Sequence, residues 1–300
     1  MVQGEARDRL ALHAIAVGVL AISAAAIFIR LADAPALAVA FWRSALGAVV
    51  LLPIAVARRE KLPEPRVLGW LVLSGVLLGA HFGFWISSLD YTSVAASVVL
   101  VCTAPVFVAI LAYLTIGEKT SLVSFAGILV AVVGAVLIGG DRSVGSAALY
   151  GNVLALIGTV TIAVHLLIGR RTRTGGLGVL PYSIIVYSAA ALTLLPAALI
   201  TGERLWGYSG ETWFWLFTIT LGPQIMGHTV FNWALRYVEA SVISATVLAE
   251  PVAAAVLAWL ILSERPGLAT AIGGAIVLIG LYLLIRGRRN PAAKTATKRV

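Results

Sequence analysis

The sequence predicts an all-α integral membrane protein: ten transmembrane helices arranged as two inverted-topology repeats of five. Three observations lead there. The chain is 60% hydrophobic and only 12% charged over 300 residues, whereas a soluble globule carries about 25% charged residues. Its apolar runs recur at about the 20-residue length that crosses a bilayer. One stretch occurs twice: Leu89 to Ile138 aligns without a gap on Leu235 to Leu284, with 14 identities in 50 pairs, against about four or five expected from so apolar a composition. The cations are also unevenly divided. With the N-terminus placed inside, 17 Lys and Arg residues fall on the inner side and 4 outside, and only Arg43 lies within a span. That is a strong positive-inside signal, and it puts both termini in the cytoplasm.

Span one, 11–31, follows Arg7 and Arg9 and has the look of a signal peptide. Its partner in the second half, Leu149 to Ile168, cannot be one, so it reads as a retained helix, with cleavage as the alternative. Span two, 35–57, contains Leu51-Leu52-Pro53, which meets Leu194-Leu195-Pro196 of span seven, 178–201, at a spacing of 143. Trp70 and Gly79 of span three, 67–89, meet Trp213 and Gly222 of span eight, 211–236, at that same spacing. Spans four and five, 93–116 and 120–139, form the first copy of the doubled stretch; spans nine and ten, 241–262 and 267–286, form the second. There the spacing is 146, and Pro105 meets Pro251, Glu118-Lys119 meets Glu264-Arg265, and Gly127 and Gly134 meet Gly273 and Gly280. The change from 143 to 146 places about three extra residues in span eight near Pro223-Gln224-Ile225. Span six is 149–169. The repeats thus run over 11–139 and 149–286 of a single membrane domain, 1–300, that ends in a basic cytoplasmic tail, 287–300. Five spans is an odd number, so the second repeat enters the membrane from the opposite side. Such halves can exchange conformations, which suits alternating access.

Other readings of the composition fail. The formal charge of +9 sits in turns and in the tail, where membrane topology wants it, so no nucleic-acid partner is expected. Cys102 is the single cysteine, which excludes an internal disulfide. No GxxxxGK[ST] loop is present, so the chain does not hydrolyse ATP itself, and no cofactor is expected.

The residues that could carry chemistry are few. Glu250 lies mid-span beside Pro251, with Ala104 as its counterpart. A carboxylate at that depth must face a cavity, pair with a cation or be protonated. Arg43 could attract a carboxylate, but the favoured reading is structural, paired with Asp33 or the Asp90 loop. His81 has Trp85 one turn away, and Gln224, His228 and Asn232 form a polar stripe at helical spacing through an apolar span. Lining a cavity and gluing helices are the two ways to hide such groups, and the cavity is the favoured one. Ser97 and Ser244 offer hydroxyls. Pro105, Pro223 and Pro251 each remove a backbone donor and are candidate hinges. Gly127, Gly134, Gly273 and Gly280 read as close helix packing. The two Glu-Lys/Arg turns read as structural turns and gates. Most tryptophans sit near span ends as interfacial anchors, while Phe82, Trp85, Tyr187 and Phe231 lie deeper and could stack on an aromatic or cationic substrate.

The units Ala104-Pro105 to Gly117-Glu118-Lys119 and Glu250-Pro251 to Ser263-Glu264-Arg265, with Phe41-Trp42-Arg43 at the start of span two, resemble the drug/metabolite transporter superfamily, in particular its EamA-type ten-helix exporters. The likeness covers about residues 11 to 286. It implies an inner-membrane carrier with a central cavity lined mainly by helices one, three, four, six, eight and nine, moving amino acids or other small metabolites outward. The polar and aromatic residues of helices three, eight and nine look most like the aromatic amino-acid exporter branch.

The leading expectation is therefore a secondary transporter, not an enzyme. Its partners are a small-molecule substrate (an amino acid or similar metabolite) and the lipid bilayer. One chain holds both repeats, so a monomer suffices, and a homodimer is also compatible. The alternatives are a membrane-embedded metal-dependent enzyme, for which His13, His81, His165 and His228 are the starting material but no HExxH or GxGD is present, a passive channel or facilitator, and a multidrug exporter.

Overall fold

The computed structural model describes residues 2–92, 94–138, 146–253, 256–257 and 267–287. Outside turns these residues are helical, and they build ten helical units. α1 is Val2–Ser23 continued by Ala25–Leu31, α2 is Ala36–Ala57 and α3 is Pro65–Ser88. α4 consists of Val94–Val101 and Ala104–Ile116, α5 is Leu122–Ile138, α6 is Ser146–Thr174 and α7 is Val179–Ile200. α8 runs through Gly210–Ile219, a π-helical Thr220–Thr229 and Val230–Ala234. α9 is Ala240–Thr246, a 3₁₀ turn Val247–Ala249 and helix resuming at Glu250, and α10 is Leu268–Gly287. Among the described residues seven helices are long and apolar enough to cross a membrane; the described parts of α5 and α9 are apolar but shorter, and α8 is interrupted. Glu264-Arg265, Arg142, Trp259 and the tail from residue 288 lie outside the described residues.

The repeats interleave. α5 packs on α10 and α2 on α7, each on its own counterpart, while α3 packs on α6, α1 on α8, and α4 on both α6 and α9. Counterparts run antiparallel, as inverted repeats require. Gly127 faces Gly280 while Gly134 faces Gly273, and Leu37 at the start of α2 meets Glu203 beyond the end of α7 while Gly47 meets Tyr187. The glycine spacing is read correctly from sequence as close packing. A Cβ on Gly134 would lie 2.6 Å from the Gly273 carbonyl oxygen, and one on Gly280 would lie 2.5 Å from the Ala131 amide.

The two prolines of the doubled stretch break their helices at equivalent places. α4 opens into a turn at Cys102-Thr103 and α9 tightens into 3₁₀ at Val247–Ala249, one turn before Pro105 and Pro251. A proline cannot donate to the carbonyl four residues back, and its ring clashes there, so each helix yields on that side. The breaks meet: Cys102 Sγ is 4.0 Å from the Val247 carbonyl oxygen.

Three elements differ from expectation. α1 begins at Val2 instead of residue 11. α6 continues five residues past 169 to Thr174, and the Thr172 and Thr174 hydroxyls bond back to the Ile168 and Arg170 carbonyls of the preceding turn. α8 is not a plain α-helix. Its ten-residue π stretch absorbs about two of the three extra residues, since each i→i+5 turn takes about one more residue than an α turn. Pro223 sits inside this stretch, and Tyr187 of α7 holds it by contacts to Gln224 O at 3.3 Å and Thr229 Oγ1 at 2.9 Å.

Candidate functional site

A cavity of about 70 Å³ lies where α1, α3, α4, α6, α8 and α9 converge, the six helices implied by the resemblance, and α2 adds Arg43 to its lining. It has room for a few ordered waters.

The α3 contribution is His81 and Trp85. Their rings stack 5.9 Å apart at 3° between planes, because positions four apart share a helix face. His81 Nδ1 also donates to the Gly158 carbonyl of α6 at 2.9 Å. In return His165 of α6 lies 3.0 Å from the Ser74 carbonyl oxygen and 2.8 Å from its hydroxyl on α3. His81 thus glues helices and lines the cavity at once. The Trp85 indole Nε1 is buried without a partner among the described residues.

Arg43 departs from expectation in its partners. Among the described residues it pairs with neither Asp33 nor Asp90; those two line a separate pocket with Arg30 at the ends of α1 and α3. The Arg43 side chain is fully buried, its Nε donates to Gln224 Oε1 at 2.9 Å, and its guanidinium carbon stands 4.0 Å over the Phe82 ring. Nη1 has no partner. Being the single cation inside a span was the signal that could have found it. Glu250, from the restart of α9, lines the same cavity at 8% exposure. Arg43 and Glu250 thus share one cavity without direct contact; among the described residues the only ion pair is Arg170–Glu118. His228 and Ser244 complete the polar lining, with His228 edge-on to Phe82 at 5.1 Å.

The α8 stripe does not stay on one face. In the π stretch, alignment falls nearer five residues than four, as the 3.3 Å bond from Thr229 Oγ1 to the Gln224 carbonyl illustrates. Gln224 turns to Arg43 and His228 to the cavity. Asn232 lies away from the cavity, buried with Nδ2 unpartnered, and its carbonyl accepts from Arg173 Nε at 2.9 Å. Ser97 also lies off the cavity: it donates to Ser88 Oγ at 2.6 Å, which itself donates to the Trp85 carbonyl. Among the described residues no three His, Cys, Asp or Glu side chains converge as metal ligands would.

Both ends of the bundle are fastened. At the end carrying the basic turns, Arg170 of α6 donates Nε to Glu118 Oε1 and Nη1 to the Leu235 carbonyl, each at 2.6 Å. Arg173 adds bonds to the carbonyls of Asn232 and Leu177. Glu118 therefore clasps α6 across the turn. At the opposite end, Glu203 accepts the Leu37 and Ala38 amides at 2.9 and 3.2 Å, satisfying two free donors at the start of α2. Trp42 Nε1 donates to the Leu205 carbonyl at 2.8 Å. Burial pushes the Glu203 carboxyl above its ordinary range, and the two amides pull it back. Arg170→Gln removes two short charge-assisted bonds, each worth about 1.5–3 kcal/mol. It should speed maleimide labelling of the buried Cys102 by about tenfold or more; an unchanged rate would show that this clasp does not hold the bundle shut.

The EamA-like transporter family matches the chain twice, over residues 9–140 and 149–286. An uncharacterized transporter of Archaeoglobus fulgidus is 26% identical over 254 residues, covering 81% of this chain and 86% of that protein. A second uncharacterized transporter of the same organism is 23% identical over 273 residues, covering 91% and 95%. A solved crystal structure of 19% identity superposes with a TM-score of 0.77 over 93% of this chain and 99% of its own, which shows a shared fold. Two matches of one family, laid on two interleaved antiparallel sets of helices, make this chain a multi-pass membrane transporter that belongs to the EamA-like transporter family of the drug/metabolite transporter superfamily.

Proposed function

We propose that the protein is a secondary carrier exporting small zwitterionic metabolites, amino acids with aromatic ones favoured, by alternating access of its two inverted repeats across the inner membrane, with both termini cytoplasmic. The observation that carries this reading is the pairing, on one cavity, of a guanidinium with an unmet Nη1 donor and a carboxylate. An unpaired buried donor costs about 1–3 kcal/mol, and a substrate carboxylate at Arg43 would recover that cost. Glu250 would take the ammonium group. The stacked His81 and Trp85, with Phe82 and Phe231 beside them, offer ring faces to an aromatic side chain, and His228 and Ser244 supply further polar contacts. The breaks before Pro105 and Pro251 and the π turn at Pro223 are where helices already depart from α geometry, so they can absorb the rocking of one half against the other.

Glu250→Gln and His228→Ala should each cut uptake into proteoliposomes by about tenfold or more, the order of one lost charge-assisted bond, with unchanged size-exclusion profiles. Unchanged uptake in both variants would overturn the site assignment.

A further inference from the structure

A second cavity, of about 1190 Å³, opens between α3 and α4 with one face of α6 as its floor. It exists because α3 and α4 each pack on α6 more than on one another. Its wall is apolar over Leu73, Leu111, Val164, Leu167 and Ile168. Its mouth is rimmed by Arg58, Arg59, Lys61, Arg66 and Arg171, against Glu60 and Glu64. All five cations are exposed, and none is in an ion pair among the described residues. At the same mouth the Trp70 ring is 47% exposed under the Arg171 guanidinium, 5.7 Å away, and Leu62 is 86% exposed. An exposed indole and an exposed leucine beside cations mark the level of lipid headgroups.

We propose that this groove is a binding site for an anionic phospholipid, its phosphate among the five cations and an acyl chain along α6 between α3 and α4. The groove has two parts, and each excludes a simpler occupant. A free anion would meet the cations and leave the apolar trough unfilled. A zwitterionic lipid would fill the trough and leave the surplus positive charge uncompensated. Each Lys or Arg near a membrane surface favours an anionic lipid by roughly fivefold. The site is distinct from the central cavity: α6 turns Ile162 and Leu166 to the centre and Val164, Leu167 and Ile168 to this groove.

The test is native mass spectrometry of the purified full chain from mixed micelles with equal phosphatidylglycerol and phosphatidylcholine. Wild-type protein should retain phosphatidylglycerol over phosphatidylcholine by roughly tenfold or more, and Arg59→Glu/Lys61→Glu/Arg171→Glu should lower that preference to about twofold or less. Neutralising tail cations instead (Lys294→Gln/Lys298→Gln/Arg299→Gln) should leave it unchanged, and Leu167→Trp, which fills the trough without touching charge, should lower retention of lipid. Equal retention of the two lipids by wild type overturns the proposal. So does a preference lost equally in the tail variant, which would make it a general effect of positive charge. Displacement of the lipid by glycerol phosphate at equal concentration also overturns it, since the acyl chain would then contribute nothing.

Discussion

Transport by the Arg43→Gln protein is expected to fall by about a hundredfold or more while the fold survives. The guanidinium, which lines the cavity, has two engagements, Nε on Gln224 and its face on Phe82, and its buried Nη1 has no partner among the described residues. Glutamine keeps a polar group but loses the charge. A substrate carboxylate drawn into the site would then be buried unpaired, and breaking a buried pair in that way costs about 3–5 kcal/mol. Arg43→Lys should recover part of the rate and remain about tenfold down, because one ammonium cannot bond Gln224 and present a planar fork at once. Initial rates in proteoliposomes, with thermal stability measured alongside, separate the outcomes. Transport by Arg43→Gln within threefold of wild type would return Arg43 to a purely structural role.

Gly134→Leu is expected to abolish folding. A Cβ there meets the Gly273 carbonyl oxygen and the Val277 amide nitrogen, both at 2.6 Å and both backbone, so no side chain can rotate out of the way. α5 and α10 would have to part along their length, which exceeds the about 1–3 kcal/mol of ordinary overpacking. The pair also joins the two repeats, so its loss removes a contact between halves. Gly69→Ala in α3 is the control: nothing lies within 4 Å of that Cβ, and the change should be neutral or stabilising by about 0.5–1 kcal/mol. Thermal unfolding followed by tryptophan fluorescence reads both. A Gly134→Leu protein that unfolds within about 2 °C of wild type would contradict the packing account.

Much of this was legible in the sequence because membrane folding leaves few options. Apolar length sets the spans, charge sets orientation, and the doubled stretch from Leu89 sets the repeat, its glycines and its prolines. The antiparallel pairing of Gly127 with Gly280 follows once five helices repeat as five. The site was legible residue by residue more than as an arrangement. His81, Trp85, His228, Ser244 and Glu250 are drawn together at one cavity, whereas Ser97 is spent on Ser88 and Asn232 lies toward Arg173. Periodicity failed at α8 because it assumes 3.6 residues per turn, and the π stretch around Pro223 changes that number locally. The spacing change to 146 marked the place but not its geometry. The partners of Arg43 were missed for a different reason: a mid-span cation reports its depth and not the direction in which its helix faces, and that direction is decided by α2 packing on α7 and α8.

The central claim is that one cavity holds both charges of a zwitterion. Counterflow in liposomes containing the pure protein tests it most directly, by comparing an aromatic amino acid with its decarboxylated amine and its deaminated acid. The account predicts saturable exchange of the amino acid and little exchange of either singly charged analogue, because each leaves Arg43 or Glu250 unmatched. Exchange of the amine as fast as the amino acid would contradict it, and would make this an organic-cation carrier that uses Glu250 alone.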